Sequence, residues 1–393
     1  MRRLLAAVAG LACAAAFAGC GTAVDINRGG RVAGTTLTIY TQLPQTGVGA
    51  SRDMIDAEKL ALYEAGGAVG QFKVNFIAID EGPPGGGDGA QLSALSLRDA
   101  VADPQVIALI GPAGSDTAAA TVPVLNGAGI LEVTPGAGYP GFTTHAGPGE
   151  PARWQPSGRR TLGRIVGDDR AQAPALLAAA RAATGRAHPR VEIEQEPGRF
   201  ADELVRELRD AGAERSGDER SARGRIVGTP ARADAVIYAG EDPQNAAGVA
   251  DGLAHEAPRA AVVLPDAVTR GGAASRMSAA ARRHAVFVSS APQPGSTPAL
   301  RRFEATFRAQ FRRDPGPYAA VGYDAMRAVL DALRAAGDRA VVRQDVIDAY
   351  FRPGERRGGL LGDMRVAPDG SRVPAHFTAF RLHGGRSAYL RLG

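Results

Sequence analysis

The sequence predicts an α/β protein of two doubly wound parallel-sheet lobes joined by a hinge, and three observations carry that prediction. Short apolar strand patterns alternate with amphipathic helix patterns along most of the chain, the order that produces a parallel sheet covered by helices on both faces. The alternation stops at Pro135 to Gly158, a Gly- and Pro-rich stretch without a periodic pattern, and then begins again. At 393 residues, 45% of them hydrophobic and 22% charged, the chain is long enough for two domains of ordinary size.

The amino terminus stands apart from this pattern. Met1-Arg2-Arg3 is positive, Leu4 to Gly19 is apolar and rich in Ala, and Ala18-Gly19 sits before Cys20, so residues 1–19 read as a signal peptide. Phe17-Ala18-Gly19-Cys20 resembles the lipobox of bacterial lipoproteins, with Phe17 where Leu is usual. That resemblance implies acylation of Cys20 and an extracytoplasmic, membrane-tethered protein, because each buried methylene of an acyl chain contributes ~0.8 kcal/mol. Residues 20–34 read as a flexible tether.

The first lobe begins with a strand over Thr35 to Gln42 and a helix over Ala50 to Glu64. A strand at Phe72 to Ile79, a helix at Gln91 to Val101, a fully apolar strand at Val106 to Ile110, a helix at Ser115 to Asn126 and a strand at Ile130 to Thr134 follow. The second alternation runs through a strand at Arg164 to Val166, a helix at Ala173 to Ala183, a strand at Val191 to Glu194 and a helix at Ala201 to Ala211. Beyond a charged stretch at Ala213 to Arg223, expected to be a solvated loop, strands at Ala235 to Tyr238 and Ala261 to Leu264 enclose a helix at Asn245 to His255. Helices at Ala299 to Phe311 and Ala319 to Ala336, the latter stopped by Gly337, precede two tail strands at Asp363 to Val366 and His376 to Leu382 around the turn Pro368-Asp369-Gly370.

Composition narrows the function. The 46 basic and 41 acidic residues are dispersed rather than blocked, which argues against nucleic-acid binding. Cys13 and Cys20 are the only cysteines and the six histidines are scattered, so neither a disulfide framework nor a metal centre is expected. There is no P-loop, dinucleotide fingerprint or Gly-x-Ser-x-Gly elbow. No enzyme activity and no cofactor are therefore expected. The loop Gly111-Pro112-Ala113-Gly114-Ser115 is different: it follows an apolar strand and opens a helix, offering backbone N–H groups and the Ser115 hydroxyl to an anion, although a serine there can equally cap its helix.

From this loop outward the chain resembles the branched-chain amino-acid (Leu/Ile/Val) binding proteins, ABC-transporter receptors with the type I periplasmic binding fold. The matching stretches, in order, are Leu43-Pro44-Gln45-Thr46-Gly47, then Ala108-Leu109-Ile110-Gly111-Pro112 with Ser115, Thr134-Pro135 with Phe142-Thr143, and Arg164 to Asp169 with Gln172. Tyr318-Ala319 with Gly322 to Ala325, and Leu361-Gly362-Asp363 with Asp369-Gly370, continue the match to the tail. The resemblance implies a solute receptor partnered by an ABC permease and its ATPase, closing two lobes on an amino acid or related polar ligand, with lobe 1 at 35–157 and 291–353 and lobe 2 at 158–290 and 354–393.

It also implies the site. Ser115 would hold a ligand carboxylate together with the Gly136 to Tyr139 backbone, Gly138 standing where the family has a threonine and Tyr139 beside it. Asp266, after the strand Ala261 to Leu264, would meet the ligand's ammonium or else cap the following helix. Pro197-Gly198 replaces the family's tyrosine-glycine hinge loop, removing an aromatic contact. Two alternatives stand beside the receptor: an exported sensor or interaction lipoprotein with the same fold, and an exported hydrolase or oxidoreductase on the same kind of sheet.

Overall fold

In the computed structural model, residues 30–45, 48–83, 88–216 and 232–392 are described; the signal segment, Cys20 and most of the tether lie outside them. The first sheet is built around two strands whose buried side chains face helices on both sides: β1 (Thr36–Leu43) and β4 (Val106–Ile110). The helices α1 (Gly49–Glu64), α2 (Asp88–Ala102) and α3 (Ser115–Gly127) cover it, and β2 (Ala68–Val69), β3 (Phe72–Asp80), β5 (Leu131–Thr134) and β6 (Leu162–Arg164) complete it. The order β2-β3-β1-β4-β5-β6 is parallel except for the β2 edge. Successive strands therefore switch from one side of β1 to the other between β3 and β4, and the gap between β1 and β4 is where such sheets leave a crevice at their carboxyl edge.

The second sheet follows α4 (Asp169–Thr184), which is capped by the Asp168 carboxylate accepting from the Ala171 N–H. Its members β7 (Val191–Gln195), β8 (Ala235–Ala239), β9 (Ala261–Leu264) and β10 (Ala285–Ser289) alternate with α5 (Arg199–Ser216), α6 (Pro243–Glu256) and the short helices α7 (Asp266–Arg270), α8 (Ala273–Arg276) and α9 (Ala279–His284). The chain then returns to the first lobe as α10 (Pro298–Phe311), α11 (Ala319–Ala336) and α12 (Arg343–Phe351). Small strands β11 (Glu355–Arg356), β12 (Met364–Val366) and β13 (Arg372–Val373) form a third sheet, and β14 (Thr378–His383) and β15 (Arg386–Leu390) add an antiparallel edge to the second, in the order β15-β14-β10-β9-β8-β7.

Packing gives each sheet its own apolar clusters. Leu37, Ile39, Met54 and Leu60 are sealed together with Val329 and Leu333 of α11, and each side chain of this size removes about 1.5–3 kcal/mol of unfavourable hydration. Leu176, Leu204, Ile237, Val263 and Val288 form the core on one face of the second sheet.

Several sequence expectations are corrected. The strand expected at Arg164 to Val166 is β6, two residues earlier, and it pairs with β5 in the first sheet rather than opening the second lobe. The segment from 354 to 373 also departs from the expected boundary: Leu360, Leu361, Met364 and Val366 pack into the first core. The two tail strands do not pair with each other. β12 pairs with β13 across the Pro368-Asp369-Gly370 turn, whereas β14 joins β10. α5 extends through Ser216 into the stretch expected to be loop. Three connections thus link the lobes, from β6 to α4, from β10 to α10 and from β13 to β14.

Candidate ligand-binding site

The loop after β4 lies at the mouth of the crevice, and its four successive N–H groups are all engaged by carboxylates of the chain itself. Glu81, directly after β3, accepts from Ala113 N at 2.9 Å, Gly114 N at 2.9 Å and the Thr117 hydroxyl. Glu241, in the loop after β8 of the other lobe, accepts from Ser115 N at 2.8 and 3.1 Å and from Asp116 N at 3.3 Å. This is the anion-binding property expected of a helix amino terminus, satisfied from both sides of the crevice. Gly114 is the N-cap residue and Ser115 the first helical residue; the Ser115 hydroxyl makes no cap bond but accepts from Tyr139 N at 3.3 Å.

The loop after β5 is held from beneath by Arg164, a fully buried side chain. Its Nε donates to Ala137 O at 3.1 Å, Nη1 to Thr143 Oγ1 at 2.8 Å and Nη2 to Tyr139 O at 2.6 Å. Burial pulls this guanidinium down from its ordinary value, partly offset by Asp168. The Tyr139 hydroxyl donates to Glu150, and its ring stacks edge-on with Phe142 and with Phe200 of the second lobe.

Gly136 and Gly138 are small for a reason that comes from across the crevice. A Cβ at 136 would run into the Arg270 guanidinium, and one at 138 into the Asp169 carboxylate. The position of the resembled family's threonine is thus filled by an acidic side chain of the second lobe. Asp169 donates its own N–H to Gly138 O at 3.0 Å and accepts from Gln172 Nε2 at 2.9 Å.

Asp266 does not cap α7; Pro265 is the N-cap residue. Oδ1 of Asp266 accepts from Ser290 N at 2.7 Å, Ser290 Oγ at 3.0 Å and Tyr318 OH at 2.7 Å, and Oδ2 accepts from Arg270 Nη1 at 2.5 Å. Arg270, one helical turn on, sends Nη2 to Ala113 O at 2.7 Å. Asp266 and Ser115, the groups the sequence offered to a ligand's ammonium and carboxylate, are thus engaged here by Arg270 and Glu241 of the chain itself.

The electrostatics are strongly acidic. Burial, then repulsion from Asp116, pushes Glu241 up to about 7 against the pull of the Ser115 bond. Glu81 is raised by burial despite its bonds to Ala113 and Thr117. Asp169 is raised well above the carboxylate range by burial and by Glu241, and Asp116 by burial and Glu196. Burial opposes the Arg270 charge, but Asp266 and the surrounding carboxylates keep it above its ordinary value. The volume left among Pro44, Ser51, Glu81, Asp116, Glu241 and Arg270 is about 30 Å³, room for water rather than an amino acid.

The five residues the sequence singled out, Ser115, Gly136, Gly138, Tyr139 and Asp266, gather around the crevice through their contacts with one another, Arg270 and Asp169, but none of them lines that remaining volume. Sequence reading missed Glu81, Glu241, Asp169 and Arg270. Glu81 and Glu241 each follow the carboxyl end of a strand, the same signal that pointed to Ser115 and Asp266.

No model of a known protein family matches the chain, and no curated protein matches it either. Solved structures do. A leucine-binding protein from Thermotoga maritima is 18% identical with a TM-score of 0.68, the match covering 90% of this chain and 97% of that one. An ABC-transporter substrate-binding protein from Desulfitobacterium hafniense in complex with Leu is 16% identical with a TM-score of 0.72, over 90% of this chain and 100% of that one. A solute-binding protein of an ABC transporter from R. palustris in complex with benzoate is 16% identical with a TM-score of 0.67, over 90% and 96% of the two chains. The chain therefore has the two-lobed fold of the type I periplasmic binding proteins.

Proposed function

We propose that the protein is an extracytoplasmic solute-binding receptor, tethered through an acylated Cys20, that closes its two lobes on a small polar ligand and presents the closed form to an ABC permease and its ATPase. One observation carries this reading. Glu241 and Arg270 of the second lobe both bond to the backbone of the single first-lobe loop 113–116, so the faces that meet on closure are the loop edges where parallel sheets bind ligands. Two neighbours of like fold are in complex with leucine and with benzoate, which supports an amino acid or a small carboxylate as the ligand to try first. Ligand would enter as Glu241 and Arg270 withdraw, Ser115, Gly136, Gly138 and Tyr139 receiving a carboxylate and Asp266 an ammonium where the ligand has one.

A thermal-shift screen of amino acids, amides, urea-like compounds and small carboxylates tests the reading, since a ligand at 100 times its dissociation constant adds ~2.7 kcal/mol of stability. Small-angle scattering with the best ligand should show an open free form and a compact bound one. Mass spectrometry of the native protein should find acylated Cys20 at the mature amino terminus, and an unmodified terminus elsewhere would refute the anchor. The self-filled crevice favours a second reading, an exported sensor or interaction lipoprotein that keeps the fold without transport. That reading requires the free protein to be as compact as a ligand-loaded sample and the loaded protein to engage no ABC permease.

A further inference from the structure

The lobes also meet beside the edge strands of their sheets, β6 in the first and β7 in the second. The segment 139–154, which leads to β6, supplies one half of this contact, and the start of α5, which follows β7, supplies the other. Gly198, at φ +135°, makes the turn between β7 and α5 in a conformation that favours glycine, and Arg199 and Phe200 open the helix. The Phe200 ring stands edge-on to Tyr139 at 4.9 Å and lies 6.0 Å from Phe142, which packs edge-on against Trp154 at 5.2 Å. Two turns further along α5, Arg206 Nη1 donates to Ala146 O at 3.2 Å.

Glu150 adds a charge to this contact. It is a buried carboxylate of the first lobe that accepts from the Tyr139 hydroxyl at 2.8 and 2.9 Å and from Trp154 Nε1 at 3.2 Å. A Cβ on Gly141 would run into it, so the segment keeps a glycine where the carboxylate sits. Among the described residues the one cation paired with Glu150 comes from the other lobe. Arg199 Nη1 lies 3.6 Å from Glu150 Oε1, and its guanidinium lies 6.0 Å from the centre of the Trp154 ring. A buried carboxylate left with neutral donors alone is costly. Parting the lobes here takes the cation from Glu150 and the Phe200 ring from Tyr139 and Phe142 in one movement.

We propose that Arg199 and Phe200 are positioning residues for closure, a latch on the first lobe that gives the solute-free protein a standing closed population. The latch is separate from the bonds that Glu241 and Arg270 make to the loop 113–116, so it sets how readily the lobes meet while the crevice sets which solute is held. The inference rests on the reading that the two lobes open and close.

Pulsed electron spin resonance on the solute-free full chain tests it, with spin labels on unnatural side chains at the exposed positions Leu92 of α2 and Gly252 of α6. The distance distribution should contain a closed population in the wild type. Phe200→Ala should lower that population about two- to tenfold, the range of one aromatic pair. Arg199→Ala should lower it as well, and Arg199→Lys, which keeps the charge, should restore most of it. A wild type with no closed population, or Phe200→Ala and Arg199→Ala populations equal to the wild type's, would overturn the latch. Lobe closure itself is judged separately, by compaction in scattering when the best compound of the solute screen is added. Compaction there with no effect of either latch substitution would leave the receptor reading standing and remove the latch alone.

Discussion

Arg270 Nη1 lies 2.5 Å from Asp266 Oδ2, and the other terminal nitrogen of the same guanidinium lies 2.7 Å from the Ala113 carbonyl of the opposite lobe. The pair is therefore both an internal salt bridge and a strut across the crevice. Removing the cation with Arg270→Ala leaves Asp266 buried with only neutral donors, for which roughly 3–5 kcal/mol is the usual loss. Chemical denaturation should show that loss. A primary amine such as leucine should restore part of it, because its ammonium can take the vacated place. A variant as stable as the wild type would show that Asp266 does not depend on its partner.

Ser115→Ala should act on stability rather than through capping. The N–H bond to Glu241 survives, but Tyr139 N loses its acceptor, and an unsatisfied buried donor costs about 1–3 kcal/mol. Urea unfolding measures this directly, and an unchanged midpoint would show that Tyr139 N finds another acceptor.

Gly136→Ala and Gly138→Ala should hinder closure from the first lobe, since each places a methyl group where Arg270 or Asp169 now sits. The expected outcome is a larger radius of gyration in scattering, with the folded far-ultraviolet spectrum retained. Ala at the exposed Gly252, whose added Cβ would meet nothing, serves as the comparison and should leave the radius unchanged.

Glu132 of β5 is buried, and neither of its carboxylate oxygens has a partner. Burial raises it well above the carboxylate range, with Arg164 offsetting only part of the effect. The folded protein thus keeps this proton while the unfolded chain releases it near the ordinary value, so stability is greatest at low pH and falls as pH rises above that value. Each unit of separation amounts to about 1.4 kcal/mol. Glu132→Gln should flatten the slope, gaining on the wild type at pH 8 and losing that advantage near pH 4. A parallel pH profile for the two proteins would contradict the assignment.

Glu241 makes the same argument at the crevice with a specific window. Its folded value of about 7 lies above the ordinary carboxylate range, so its contribution falls between about pH 4.5 and 7 and is flat above. Glu241→Gln, which keeps one acceptor for Ser115 N, should be relatively more stable than the wild type at pH 8 than at pH 4.5, as read from Tm.

The alternation that gives the two sheets is plain in the sequence wherever a strand is apolar throughout, as at Val106–Ile110, and bounded by Gly or Pro. β10 escaped because α9 passes into it with no loop, His284 being the last helical residue and Ala285 the first of the strand. β6 was displaced because a three-residue strand with a central glycine carries no period. In the site, Ser115 and Asp266 were legible as strand-end residues. Their partners were not, because Glu241 meets Ser115 from 126 positions away and Arg270 meets Ala113 from 157. Such pairings belong to lobe closure, and no local pattern encodes them.

The discontinuous lobes have a consequence for biosynthesis. The first core needs α11 and residues as late as Val366, and the second needs Ala379 on a strand that completes its edge. A nascent chain therefore cannot finish the first lobe before Val366 or the second before Ala379 has been added, and the closing contacts join segments far apart in the sequence. Chains whose contacts are so far apart in sequence fold slowly, and no fragment cut at a single boundary between the lobes should fold alone.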